Sequence, residues 1–326
     1  METGERNGTV QSMKILVTGA RGQLGQDVVK EALKRGYMVA GSGTAETLNQ
    51  TGSCNVPAKQ AHCNSMQYVQ MDITDAGRVE QVIMDVKPDA VIHCAAWTAV
   101  DLAEEQENAA KVRAVNVTGT ENIAYACKKA DCKMLYISTD YVFDGQGNSP
   151  WQPDCKEYNP LNVYGQTKLW GEQAVSRLLD KYFVVRIAWV FGAGGSNFVR
   201  TMLKLGRTHD SMRVVNDQTG TPTYTPDLAR LLVDMVETDK YGYYHATNEG
   251  GYISWYEFAC EIFRQAGYET KVIPVTTKEY GLSKARRPFN SRLDRSKLVE
   301  NGFVPLPEWQ DALHRYLQEQ ETELQL

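Results

Sequence analysis

Along the chain, short runs of consecutive apolar residues alternate with stretches whose apolar positions recur every three to four residues. Lys14–Thr18 (KILVT) is the first such run, and Gln23–Arg35 follows with Leu24, Val28, Val29, Ala32 and Leu33 at helical spacing. Tyr37–Ala40 and Gln67–Met71 read as further strands, Val79–Val86 as a helix and Ala90–His93 (AVIH) as a fourth strand. The spacing then predicts one long helix over Glu104–Lys129, a strand at Lys133–Ser138, a helix over Val163–Leu179 and a strand at Phe183–Ile187. Runs that are apolar without alternation belong to strands covered on both faces. The βαβα rhythm therefore predicts an α/β fold, a Rossmann-type doubly wound parallel sheet with helices on both sides. Beyond about Trp189 the rhythm loosens. Helices are expected at Ser196–Gly206, Thr225–Glu237, Trp255–Gly267 and Pro307–Gln320, and short strands at Arg213–Val215 and Tyr243–His245. This second half reads as a smaller α/β region, with some elements returning to the first.

Composition narrows the class. The chain has 326 residues, 42% hydrophobic and 23% charged, as in a water-soluble globular protein with a sizeable core. Forty acids face thirty-five bases, a net charge of −5, and no basic block stands out, so a nucleic-acid partner is not expected. No run is apolar enough to span a membrane, and the polar residues before Met13 do not resemble a signal peptide. Residues 1–12 are expected to be a flexible tail. The seven cysteines form no C-x-x-C pair, which suits a reducing, cytoplasmic setting; Cys94 and Cys260 sit in apolar patterns and are expected to be buried. The polar stretch Thr44–Ser65 has no periodicity, and its Cys54, His62 and Cys63 are too few for a metal site, so a surface insertion is expected. No zinc cluster or nucleophile elbow occurs, and no ligand set declares itself for a metal; whether a divalent cation is needed stays open.

Chemistry enters with KILVTGARGQLG (Lys14–Gly25), which places Gly19, Gly22 and Gly25 between a strand and a helix. The first glycine permits a tight turn, the second lets backbone approach a pyrophosphate, and the third lets helix pack on strand. The phosphates would meet the positive end of the helix. A dinucleotide is the expected ligand, with residues 13–188 as its domain and 189–326 as a mainly substrate-binding one. A site for NADH expects an acid after the second strand. Here that strand runs into Gly41-Ser42-Gly43-Thr44, and Arg21 in the turn could meet a 2′-phosphate. NADPH is favoured, with NADH possible. Asp72, after the third strand, could bond the adenine or cap the next turn.

Tyr164-Gly-Gln-Thr-Lys168 places a phenol and an ammonium four residues apart, on one helix face. Tyrosine is a weak acid at its ordinary pKa of about 10, and a nearby ammonium lowers that value by favouring the phenolate. Upstream, Ser138-Thr139-Asp140 closes a strand, at the sheet end where ligands bind. Thr139 is thus expected to hold a substrate carbonyl oxygen beside Tyr164, with Lys168 reaching the cofactor ribose.

TGARGQLG (Thr18–Gly25), CAAWTAVDLAE (Cys94–Glu104), YISTDYVFDG (Tyr136–Gly145), YGQTK (Tyr164–Lys168), RIAWVFG (Arg186–Gly192), NDQTGTPTYTPDLA (Asn216–Ala229) and RRPFNSRLDRSKL (Arg286–Leu298) together resemble the extended short-chain dehydrogenase/reductases. Within them the chain is most similar to the dTDP-4-dehydrorhamnose reductases. The resemblance implies hydride transfer from a nicotinamide to the 4-keto carbon of a dTDP-linked 6-deoxy sugar. Tyr164, Lys168 and Thr139 would be the catalytic residues. Gly19, Arg21, Gly22, Gln23, Leu24, Gly25, Asp72, Ile73, Ala95, Ala96 and Lys168 would hold the cofactor. Thr98, Val100, Asp140, Tyr141, Trp189, Asn197 and Arg287 would face the sugar nucleotide, with Arg286 an alternative to Arg287 at its pyrophosphate. Trp189 could equally pack in the seam between the halves, Asp101 could cap a helix, and His93 reads as a core histidine. A monomer or homodimer is expected. Two other readings stay open: another sugar-nucleotide epimerase or reductase of this superfamily, and a non-catalytic regulatory subunit of a methionine adenosyltransferase.

Overall fold

A computed structural model describes residues 12–45 and 65–324. The expected tail up to residue 11 and the core of the Thr44–Ser65 insertion, with Cys54, His62 and Cys63, lie outside the described residues. The sheet is built from β1 (Lys14–Thr18), β2 (Met38–Gly43), β3 (Gln67–Gln70), β4 (Ala90–His93), β5 (Lys133–Thr139) and β6 (Tyr182–Ile187). A seventh strand, Gly242–His245, pairs with β6. Its order is Gly242–His245, β6, β5, β4, β1, β2, β3, and every pairing is parallel. Strand order reverses between β1 and β4, which opens a crevice at their carboxyl ends.

Helices cover both faces, as unbroken apolar strands require. On one side α1 (Gln23–Lys34) puts Val28, Val29 and Ala32 into a core with Ile15, Val17, Ile92 and Val185. The helix Thr225–Val236, from far along the chain, completes that core with Leu228, Leu231, Leu232 and Met235. On the other side α2 (Ala76–Val86) and the helix Thr120–Ala130 cover Leu16, Val91, Met134 and Val184.

The long helix expected over Glu104–Lys129 is broken. Val100–Ala103 is one short turn and Gln106–Asn108 a 3₁₀ turn; continuous helix begins at Ala109 and passes through a π turn at Ala114–Gly119. The cause is competing polar contacts. Asn108 donates to Leu102 O (3.0 Å), and Glu104 Oε1 accepts from Val163 N (2.7 Å), capping a different helix. In the second half, Lys271–Val275 forms a strand parallel to Ser211–Val215 that periodicity does not reveal. A third core gathers Phe191, Tyr224, Phe258, Trp309 and Tyr316. Cys94 and Cys260 are partly rather than fully covered.

A buried ion pair fastens the helix Val163–Leu178 to the sheet. Arg186 on β6 meets Glu172 through Nε and Nη2, each at 2.8 Å, and neither side chain is exposed. The guanidinium also donates to Pro153 O (3.0 Å) and Tyr158 Oη (3.0 Å) and lies over the rings of Phe143 and Tyr243.

Candidate active site

The carboxyl ends of β1, β4 and β5 stand side by side. Gly19 leaves β1 with φ +64°, a left-handed conformation that costs a glycine little. A Cβ there would stand 2.8 Å from Ala95 N, so the turn lies against the backbone that leaves β4. Gly22 N donates to Gly19 O (2.8 Å) and opens α1, whose amino end has no side-chain cap. A methyl on Gly25 would overlap the Gly19 carbonyl. Bare backbone N–H groups at a helix end, with no side chain in the way, suit a pyrophosphate.

The remaining cofactor-side residues divide. Arg21 is exposed, its guanidinium 5.7 Å from the centre of the Tyr68 ring on β3. Ala95 N donates to Thr18 Oγ1 (3.2 Å), and Ala96 follows it, half-covered, in the crevice. Gln23 reaches away from this turn; its amide, in the orientation that satisfies both groups, accepts from Gly192 N and donates to Gly194 O (3.3 Å). Leu24 and Ile73 point into the cores, leaving only backbone for a ligand. Asp72 Oδ1 accepts from Thr74 N (2.9 Å) and Thr74 Oγ1 (2.8 Å), so it braces its own turn.

Thr139 ends β5 and is buried. Its Oγ1 donates to Asp140 Oδ1 (3.0 Å) and accepts from Tyr141 N (3.3 Å). Tyr164 sits on the first turn of the helix Val163–Leu178. Asn162 begins that helix: its Oδ1 accepts from Gly165 N (2.8 Å), and its Nδ2 donates to Arg286 O (2.8 Å). The Tyr141 ring meets the Tyr164 ring edge-on, centroids 5.7 Å apart. Burial first, and the Asp140 carboxylate second, push the Tyr164 phenol well above its ordinary pKa, while the Thr139 hydroxyl opposes them. At neutral pH the phenol therefore keeps its proton, as a proton donor must.

Lys168, one turn on, is buried. Its Nζ donates to Ile137 O (2.7 Å) and lies 4.1 Å from the centre of the Tyr136 ring. Burial pulls its pKa down to about 7, against the pull of Glu172 and Cys94. The expected lowering of the tyrosine pKa by this lysine is thus not what moves the phenol: the amine is turned to a carbonyl and a ring. The lysine also acts on His93 and Cys94 at the end of β4, beside Ala95 and the Gly19 turn. Tyr164, Lys168, Thr139 and the glycine turn therefore share one edge of the sheet. His93 is a core histidine, bonded to Thr18 Oγ1 (2.7 Å) and Thr120 Oγ1 (3.3 Å).

On the sugar side, three expectations are modified. Arg287 is committed to Asp101 through Nη2 (2.6 Å) and Nη1 (3.1 Å), and Asp101 also accepts from Ala285 N (3.0 Å). Asp101 thus ties the 285–287 loop rather than capping a helix, and Arg286 is exposed. Asn197 is engaged at both ends of its amide: Oδ1 caps the helix Phe198–Gly206 at Arg200 N (2.9 Å), and one N–H of Nδ2 donates to Gly192 O (2.9 Å). Trp189 stacks on Trp255 at 3.7 Å between centroids, so one face of its ring is taken. Its φ of +50° is strained for an aromatic residue. The edge of that ring borders Gly220, beside Ser291, whose hydroxyl acts on Asp140. Thr98 is exposed and Val100 half-covered on the segment leading to Asp101.

Two residues of the site escape sequence reasoning. Ser291 lies within a recognised motif, but nothing local marks its reach to Asp140. Asn116 lies on the π turn, buried, accepting from Trp97 N (2.8 Å) and donating to Trp97 O (3.2 Å) and Thr167 Oγ1 (3.1 Å). It locks the 97–100 segment to the helix that carries Tyr164, and π turns often mark functional sites. Among the described residues, no group of three or more His, Cys, Asp and Glu side chains could hold a metal ion, and no helix is long and apolar enough to cross a membrane.

Known proteins are similar to this chain over most of its length. The family described as RmlD substrate binding domain matches residues 13–322. The spore coat polysaccharide biosynthesis protein SpsK of Bacillus subtilis is 36% identical over 95% of this chain and 98% of its own. A dTDP-4-dehydrorhamnose reductase of Streptomyces griseus is 38% identical over 91% of each. The crystal structure of dTDP-4-dehydrorhamnose reductase from Bacillus anthracis in complex with NADP superposes with a TM-score of 0.82 at 35% identity, covering 94% of this chain and 99% of that one. Glycine turn, Tyr164–Lys168 pair and whole-length similarity converge: the chain belongs to the RmlD substrate binding domain family, among the extended short-chain dehydrogenase/reductases.

Proposed function

We propose that this protein reduces the 4-keto group of dTDP-4-dehydro-L-rhamnose to give dTDP-L-rhamnose, using NADPH in preference to NADH. The observation that carries the reading is a protonated phenol, Tyr164, beside Thr139 on the sheet edge that also holds the Gly19 turn. The names of full-length relatives supply the sugar. A bound reduced nicotinamide would supply the hydride.

The chain's own groups do the rest. The Gly19–Gly25 turn and the uncapped end of α1 bind the pyrophosphate through backbone N–H groups. Arg21, exposed beside Tyr68, meets a 2′-phosphate, which favours NADPH. Tyr164 gives its proton to the oxygen that becomes the C4 hydroxyl, a contribution of about 10²–10⁴-fold for acid catalysis of this kind. Lys168, with a pKa near neutrality, orients the cofactor ribose. Asp140, Tyr141, the free face of Trp189 and the 285–287 loop enclose the sugar. A cytoplasmic monomer or homodimer fits this role.

The test is loss of NADPH absorbance on adding dTDP-4-keto-6-deoxy sugars, with wild type and Tyr164→Phe compared. The variant is expected to bind NADPH normally and to turn over about 10²–10⁴-fold more slowly. Turnover equal to wild type would remove Tyr164 from the mechanism. No turnover without an added partner enzyme would favour the regulatory-subunit reading instead.

A further inference from the structure

A hydroxyl has one proton to give. Thr139 gives it to Asp140 Oδ1 and takes one from Tyr141 N. One lone pair remains open, and the Tyr164 phenol lies within its reach. In this arrangement Thr139 can accept from the phenol. While the bond to Asp140 holds, that proton is not available to a substrate oxygen, nor to the phenolate left when Tyr164 has given up its proton, which the threonine hydroxyl otherwise favours. The donor's role expected of Thr139 therefore requires that its bond to Asp140 be released.

Asp140 itself is unusual. The residue is 2% exposed, and its Oδ2 is buried with no well-formed hydrogen bond, although the Ser291 hydroxyl lies close to the carboxyl. A buried carboxylate with an unsatisfied oxygen is costly, whereas the neutral acid is much less so. The groups facing it are Thr139 and Tyr141 from its own segment, Tyr164 from the helix and the Ser291 hydroxyl from the C-terminal half. Arg287 lies across Tyr141 and is committed to Asp101. We infer that Asp140 is a positioning residue that sets the direction of the Thr139 hydroxyl: as a carboxylate it holds the threonine proton, and as a carboxylic acid it releases that proton toward the reacting oxygen. In the acid form Asp140 donates along the same 3.0 Å contact, and the Thr139 hydroxyl turns to the site. Burial raises the Asp140 pKa to about 6, against the hydroxyls of Ser291 and Thr139, so the exchange lies within reach of neutral buffers.

This inference rests on the assignment of Tyr164 as the acid, and one experiment separates the two. Saturated turnover is measured from pH 5 to 8.5 for wild type, Asp140→Asn, Thr139→Val and Tyr164→Phe. Wild-type kcat is expected to fall through a step near pH 6 to a lower plateau, by about two- to tenfold, the net worth of one hydrogen bond. Asp140→Asn, neutral at every pH and able to donate its own N–H to Thr139, loses the step. Thr139→Val loses the part that the hydroxyl carries and keeps at most what the Asp140 charge exerts directly on Tyr164. If Asp140→Asn does not fold, Thr139→Val alone decides. A flat wild-type profile, or a full step surviving in either variant, overturns the inference. A Tyr164→Phe enzyme as fast as wild type would instead overturn the acid assignment.

Discussion

Substituting Glu172→Gln tests whether the ion pair behind the helix that carries Tyr164 holds this candidate site in place. The change keeps the side-chain shape and removes one charge from a place with no exposure. Arg186 stays charged, since a guanidinium does not give up its proton in proteins. It would keep Pro153 O, Tyr158 Oη and the rings of Phe143 and Tyr243, which it already has in the wild type and which therefore offset nothing. Removing one partner of a buried pair costs about 3–5 kcal/mol. Glutamine can still accept one of the two 2.8 Å bonds, which places the expectation near about 3 kcal/mol. Replacing both partners with apolar residues, Glu172→Leu with Arg186→Met, leaves no stranded charge and should cost far less than the two single changes added together. Urea unfolding followed by tryptophan fluorescence reads both. The same substitution acts on Lys168, whose proton affinity Glu172 raises. Without that carboxylate the lysine should titrate below about 7, shifting the pH dependence of cofactor affinity downward. A loss under about 1 kcal/mol, or single changes that simply add, would refute the idea that a stranded charge governs the cost.

Other outcomes follow from the geometry. Arg21→Ala should raise KM for NADPH about tenfold or more while leaving KM for NADH nearly unchanged, the loss of one charge-assisted contact; equal effects on both would remove Arg21 from cofactor choice. Asn197→Ala should cost about 1 kcal/mol of stability through its lost cap, with KM for the sugar nucleotide unchanged; a selective rise in that KM would restore the pyrophosphate role. Lys168 releases its proton at about 7 when folded, whereas the unfolded chain binds it until about 10.4. Its contribution to stability should therefore rise with pH across that window, by at most about 1.4 kcal/mol per unit, and Lys168→Met should flatten the rise.

The parallel sheet was legible because each central strand is a run of apolar residues buried on both faces, a signal that survives without knowledge of neighbours. β1 and β4 match their expected limits residue for residue. The failures share a cause. Glu104 and Asn108 look helical by spacing, yet their side chains are drawn to Val163 N and Leu102 O, contacts that periodicity does not encode. Lys271–Val275 contains a proline and only one buried residue, so its strand exists mainly through its partner Ser211–Val215. At the candidate site, the pairings of the expected residues were not legible. Arg287 was a plausible phosphate ligand until Asp101, far away in sequence, proved to hold it. Lys168 was placed on the right face, but which neighbour its amine would choose depends on Ile137 O and Tyr136, on another element.

Because Gly242–His245 completes the sheet beside β6, and Thr225–Val236 covers α1, the nascent chain cannot finish its seven-stranded sheet when residue 188 leaves the ribosome. At about 5–20 residues per second, roughly 3 to 11 s of further synthesis separate the exit of β6 from that of its last neighbour. Throughout that interval β6 presents an open, apolar border to its surroundings, the sort of template on which chains join one another. Chaperone demand during translation should concentrate in that window, and ribosome-bound fragments ending between residues 188 and 241 should aggregate on release more than fragments that extend past His245.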